Sequence, residues 1–515
     1  MKRFLAILLA LLVALPLFAC EGGDRPESAD PVSGADGNSE GPSVEPAPEP
    51  TYYDIVYYRF YADEADALAL KIKETASYEP QVIKYDQTKP MPEHAIYIGE
   101  VTDGVGNELC RTLHSRDHGI KAVDGNVYIY GGSRAAVKEA VSHLAETFAD
   151  AGKANEFLTD AGKFDFFYEH EYALAGLTVG GRSISDYTVI YSATNNEAKY
   201  SNVASAIKSY LGENADVSVQ TAAHARSESE CEILLGCACG RALSDEFHEA
   251  DFAYNEYRVT VSGTKVAIVG GNACAVWQGW KAFCEYALQS EDRACGDTVL
   301  EGTAEMIKVA CVGDSITIGI NSTDPYVYTY PNYLQEMLGY DYYVRNFGAS
   351  GYSVVNTDEY AYYKHDFYRK SQSFSPDVVI WMLGTNDGNP GQSYKAWEGT
   401  NRKEKYIQSA EMMFEAYEKV NPDVQIFISL PATLFESTVW TEWKEWGDRI
   451  VKYVIPLNKE LAEKHGYPTI DMYTWSLDHA SVFPDGLHPK DTTYKTYAQR
   501  VYDEIINVIK TPSAG

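Results

Sequence analysis

The chain has 515 residues, 45% of them hydrophobic and 23% charged, and at roughly 150 residues per domain that length implies about three modules with apolar cores. Lys and Arg total 43 against 74 Asp and Glu, a net charge of −31, and such a field repels phosphate backbones, which excludes nucleic acid as a first partner. The 40 tyrosines, 18 phenylalanines and 8 tryptophans pack cores and also offer rings that stack on sugar faces.

Lys2 and Arg3 precede an apolar run over residues 4–19, shorter than the about 20 residues of a membrane-spanning helix. Residues 1–19 read as a signal peptide. The run ends Leu17-Phe18-Ala19-Cys20, which resembles the bacterial lipobox. That resemblance implies lipidation of Cys20 and an exported lipoprotein held in a membrane at the cell surface by its N-terminal lipid. A secretory signal with an incidental cysteine is the alternative. Residues 20–52 are rich in Pro, Gly, Ser, Asp and Glu, a composition that predicts a disordered tether. The other eight cysteines permit disulfides without requiring them. Cys237 and Cys239 are too close for a C-x-x-C pair, and no structural metal is expected.

A strand–helix–strand–strand–helix order then occurs twice. The first copy has strands at residues 54–58, 95–98 and 126–130, with helices near 64–73 and after Ser133. The second has strands at 187–191, 232–235 and 265–269, with helices near 203–211 and after Asn272. Gly99 and Gly236 are 137 residues apart and Gly132 and Gly271 are 139 apart, so one plan is duplicated, giving α/β units at 53–170 and 171–305. The Gly-Gly pairs match no phosphate-cradling motif, and a tight strand-to-helix turn suffices for them. In its I-x-I-G and I-x-G-G-S rhythm each unit resembles the small α/β domain before the catalytic barrel of sugar-cleaving enzymes such as alpha-glucuronidases. No catalytic residue comes with that match.

Chemistry concentrates in residues 306–515. Apolar strands at 307–312, 344–347, 377–383, 424–430 and 469–473 alternate with helical patterns, notably at 405–420 and 451–464, as a parallel sheet between two helical layers requires. The strands deliver Gly313-Asp314-Ser315-Ile316-Thr317, Asn346-Phe347-Gly348, Gly384-Thr385-Asn386-Asp387 and Asp485-Gly486-Leu487-His488 to one edge. A serine hydroxyl becomes a nucleophile when a neutral imidazole within about 2.6 to 3.2 Å accepts its proton, which requires His488 beside Ser315. A carboxylate in the same loop, Asp485, can hold the imidazole tautomer and stabilise its cation.

On these four blocks, residues 306–510 resemble an SGNH (GDSL-type) hydrolase. The resemblance implies a three-layer α/β/α, flavodoxin-like domain with nucleophile Ser315, base His488 and acid Asp485. Its oxyanion hole would be formed by the N–H groups of Ser315 and Gly348 and the side-chain amide of Asn386, with no cofactor. Neighbouring candidates read differently: His479 and His365 as loop histidines, Asp314 and Asp387 as acceptors for turn N–H groups. Trp381 reads as core, whereas Trp397, Trp440, Trp443 and Trp446 could border the cleft. No paired-carboxylate glycosidase motif is present.

The expected function is that of a surface-anchored serine esterase removing acetyl groups from a carbohydrate polymer, with acetylated polysaccharide or a small ester as substrate. The alternatives are a lipase or thioesterase on small acyl substrates and a non-enzymatic glycan-binding protein.

Overall fold

The structure, a computed structural model, describes residues 48–101, 104–193, 200–224, 226–391 and 396–509. The expected signal peptide, the lipidated Cys20 and all but the last residues of the tether lie outside these. The chain divides at Thr51 and Tyr52, and the larger unit is Tyr52–Gly515.

In the larger unit, the first sheet contains β1 (Asp54–Tyr57), β2 (Val82–Lys84), β3 (Ala95–Ile98), β4 (His118–Val123), β5 (Asn126–Gly131) and β6 (Phe166–Tyr168), in the order β2-β1-β3-β5-β4-β6. After a short β7 (Thr178–Val179) and β8 (Arg182–Ser183), the second sheet takes β9 (Thr188–Tyr191), β10 (Gln220–Ala223), β11 (Glu232–Leu235), β12 (Glu256–Ser262), β13 (Lys265–Gly270) and β15 (Thr298–Thr303). Its order is β10-β9-β11-β13-β12-β15, and β14 (Ala294–Cys295) joins β7 and β8 in a small separate sheet. Both large sheets are parallel through four strands and antiparallel at the last two.

The sequence reading identified three strands in each of these sheets and missed the other three. In the first sheet the signal was present: Asp124-Gly125, both at positive φ, is the dipeptide preferred in tight hairpin turns and joins β4 to β5. The Gly-Gly pairs have steric causes. A Cβ on Gly132 would lie 1.7 Å from the His114 carbonyl oxygen and one on Gly271 2.1 Å from that of Ala253. The following Ser133 and Asn272 cap the helices Arg134–Thr147 and Ala273–Leu288, accepting from Ala136 N at 3.2 Å and Ala275 N at 3.0 Å.

The third sheet holds β16 (Ile307–Gly313), β17 (Tyr342–Gly348), β18 (Val378–Met382), β19 (Gln425–Leu430) and β20 (Thr469–Asp471), all parallel, in the order β17-β16-β18-β19-β20. Every residue of β18 is buried, because both faces are covered. Val379 and Trp381 pack with Tyr406, Phe414 and Leu461 on one side, while Val378, Ile380 and Met382 pack with Leu334, Tyr494 and Val501 on the other. The fifth strand stops earlier than expected: Met472 and Tyr473 already belong to the helix Met472–Ser476, whose cap Asp471 accepts from Thr474 N.

The helix Ala273–Leu288 and Tyr254 meet the start of this sheet. Gln278 Nε2 donates to Tyr340 O and Asp341 Oδ1, Lys281 pairs with Asp341 at 2.7 Å, and Tyr254 stacks on Tyr343. These contacts sit at the amino end of β17, about 20 Å along the strands from the carboxyl edge. That edge carries the G-D-S turn.

Candidate active site

Ser315 opens the short helix Ser315–Ile318 directly after β16, capped by Asp314, whose Oδ1 accepts from Ile316 N at 3.1 Å. The helix fits between neighbouring strand ends because Gly313 and Gly348 lack side chains. A Cβ on Gly313 would lie 2.0 Å from Thr317 Oγ1 and 2.8 Å from Met382 O, and one on Gly348 2.2 Å from Ile318 N. The N–H groups of a first helical turn have no intrahelical acceptor, so the start of this helix presents donors beside the Ser315 hydroxyl.

His488 and Asp485 lie on the loop before the helix Asp491–Ile505. Asp485 Oδ1 accepts from the N–H groups of Leu487 at 3.0 Å and His488 at 2.7 Å, which closes the loop on itself. Gly486 has φ +81, and a Cβ there would lie 2.7 Å from Phe435 O. The segment after β19 grips this loop: Phe435 N donates to Gly486 O at 2.9 Å, and Ser437 Oγ donates to Asp485 O at 2.5 Å.

The structure brings the three side chains together. His488 Nε2 is 2.8 Å from Ser315 Oγ and His488 Nδ1 is 2.7 Å from Asp485 Oδ2. With the Nδ1 proton held by the carboxylate, Nε2 presents its lone pair to the serine O–H. Ser315 and His488 are buried, which strengthens the interaction by excluding water. Burial opposes ionisation of Asp485, but the His488 ring and the two backbone N–H groups outweigh it and hold its pKa below the ordinary carboxylate value.

The groups expected as oxyanion donors have partners that the sequence did not disclose. Gly348 N donates to Asn346 Oδ1 at 2.9 Å, and Asn346 Nδ2 donates to Thr317 O at 2.7 Å. Asn346 therefore ties the end of β17 to the serine helix, and Gly348 N–H must be shared to meet a substrate. Asn386, in the turn Thr385–Gly388, donates from Nδ2 to Tyr352 O at 3.0 Å.

Neighbouring side chains have their own partners. Trp397 and Trp446 are buried, donating from Nε1 to Asp387 O at 3.1 Å and to Thr385 O at 2.6 Å. Trp440 does approach the site, edge-on to the His488 ring at 6.0 Å between centroids. His479 lies in the loop after the helix Met472–Ser476, stacking on Trp475 with Nδ1 2.6 Å from Trp475 O. His365 caps the helix Asp366–Ser373. Among the tyrosines between residues 326 and 362, Tyr330, Tyr342 and Tyr362 are core, while Tyr326, Tyr328 and Tyr360 are exposed. Asp387 accepts backbone N–H groups as expected, from Val354 and Val355, and also pairs with Arg402, which no motif signalled. Among the described residues, no group of three or more His, Cys, Asp or Glu could hold a metal ion.

A family model described as GDSL-like Lipase/Acylhydrolase matches residues 311–496. An acetylxylan esterase of Xylanibacter ruminicola is 30% identical over 216 residues, covering 38% of this chain and 42% of that protein; the chain thus spans less than half of this curated relative. Similar solved structures include the acetyl xylan esterase AlAXEase, at 22% identity and TM-score 0.31 over 39% of this chain and 100% of that one. A lipase/acylhydrolase from Enterococcus faecalis is 19% identical, with TM-score 0.32 over 41% and 100%. Residues 311–496 of this chain thus carry the similarity to the GDSL-like lipase/acylhydrolase family.

Proposed function

We propose that the protein is a surface-anchored serine esterase that O-deacetylates a carbohydrate polymer. The observation that carries the chemistry is the relay from Ser315 Oγ to His488 Nε2 at 2.8 Å and from His488 Nδ1 to Asp485 Oδ2 at 2.7 Å. Ser315 Oγ attacks the acetyl carbonyl as its proton moves to Nε2, forming a C–O bond and an oxyanion. The N–H groups at Ser315 and Gly348 and the Asn386 amide stabilise that charge, each such donor being worth about 2.7 to 4 kcal/mol. The carbonyl re-forms, the bond to the sugar oxygen breaks, and that oxygen takes the proton from His488. Water repeats the sequence on the acetyl-enzyme, releasing acetate and restoring Ser315.

The acetylated-sugar substrate rests on likeness to a relative named acetylxylan esterase. Lipidation at Cys20 would place the site outside the cell, where such polymers occur. The identical strand orders of the two N-terminal sheets support reading them as a duplicated spacer, because the second docks at the edge opposite the serine.

Acetate release from acetylated xylan by the full chain, abolished in a folded Ser315→Ala variant, is the expected result. Preference for long-chain over acetyl esters would favour a lipase instead, and turnover of no ester would overturn the reading. Release of a Cys20→Ser variant from the membrane fraction tests the anchor.

A further inference from the structure

We propose that Arg402, a residue remote from every sequence motif, is a positioning residue that sets the Asn386 amide for catalysis by clamping the two segments between which that amide is held. The inference rests on the esterase reading and extends it to a group that does not touch the substrate.

Arg402 begins the helix Arg402–Val420 and is only 4% exposed. Its guanidinium grips Asp358 with both ends, Nη1 to Oδ1 at 2.9 Å and Nη2 to Oδ2 at 2.7 Å, and Nη2 also reaches Asp387 Oδ1 at 3.1 Å. The two carboxylates belong to different segments. Asp358 lies in the loop after β17, and Asp387 follows Asn386 in the turn after β18. Each also binds the loop: Asp358 Oδ2 accepts from Ser353 Oγ at 2.8 Å, and Asp387 Oδ2 accepts from Val354 N at 2.8 Å.

The residue just before this hub is Tyr352, whose carbonyl accepts from Asn386 Nδ2 at 3.0 Å. One side of the Asn386 amide is thus tied to the loop that Arg402 holds, and its backbone is tied to the turn that Arg402 also holds. Stability alone is a weak reason for such a cluster, because apolar replacements of a buried ion group are often neutral or stabilising. A planar five-donor fork that fixes two acids in register is suited to geometry, and misplacing a reacting group by 1 Å can cost about 100-fold in rate.

The test uses the full chain with Arg402→Lys and Asp358→Asn. The first keeps the charge but loses the fork, and the second keeps the shape but weakens one arm. Arg402→Met would strand two buried acids and is expected to unfold, so it is not relied on. For variants with wild-type near-UV circular dichroism, kcat on p-nitrophenyl acetate is expected to fall about 100-fold with KM within about threefold. Affinity for phenylboronic acid, which forms a tetrahedral adduct with serine, should fall in parallel. Folded variants that keep kcat within about threefold of wild type, or lose kcat without losing boronate affinity, would overturn the inference. A wild-type chain that turns over no ester and whose Ser315 is not labelled by a fluorophosphonate would instead overturn the esterase reading, and this inference with it.

Discussion

Asp314 offers a quantitative check on the site's electrostatics. It is completely buried immediately before the nucleophile, and burial, aided by the charge of Asp387 and opposed by hydrogen bonds from Ile316 N and Thr385, raises its pKa from 3.8 to about 6. The folded state therefore holds this proton more tightly than the unfolded chain. Its stabilising effect is complete below the unfolded value, and it is lost as pH rises through the folded value of about 6. The gap between 3.8 and about 6 corresponds to about 3 kcal/mol. Asparagine preserves the size and the Oδ1 acceptor for Ile316 N but carries no charge. Relative to wild type, Asp314→Asn should therefore gain about 2 to 3 kcal/mol between pH 4 and pH 8. The altered contact with Thr385 adds an offset that does not vary with pH. Urea unfolding followed by fluorescence, with Trp381 in the neighbouring strand as reporter, measures the difference at each pH. A variant-minus-wild-type stability that is flat across that range, or that slopes the other way, would refute the reasoning.

Gly348→Ala drives a methyl to within 2.2 Å of Ile318 N and should cost about 1 to 3 kcal/mol, seen as a lowered melting temperature together with loss of esterase activity. Asp485→Asn should reduce kcat by about 10⁴ through loss of the His488 tautomer. Because the folded pKa of Asp485 is lowered, its stabilising effect is present above the unfolded pKa and lost as pH falls through the folded one. The stability gap between this variant and wild type should accordingly close in acid, as read by denaturant titration. Ser437→Ala removes the donor to Asp485 O and the acceptor of Val439 N and Trp440 N; it should cost about 1 to 3 kcal/mol, measured by the same titration.

The candidate site was legible in the sequence because each block joins a short apolar strand to a turn whose residue types a serine-hydrolase relay would use. Ser315, His488 and Asp485 could be named before any coordinate, and short apolar runs located all five strands of their sheet. The edge strands of the first two sheets were less visible, because short segments such as Val82–Lys84 carry too few apolar residues to show a period.

What the tertiary structure alone decided are the relations between distant segments. The sequence by itself determined which groups could relay a proton; only folding brought Ser315 within 2.8 Å of a histidine 173 residues away. Arg402 carries no local signal, since its role depends on two carboxylates 44 and 15 residues distant. The burial of Trp397 and Trp446, the seating of Trp440 against His488 and the docking of the helix Ala273–Leu288 at the edge opposite the serine also depend on packing. A residue's identity fixes the bonds it can make, but which partners it meets depends on how strands and helices stack, and that is a property of the whole chain.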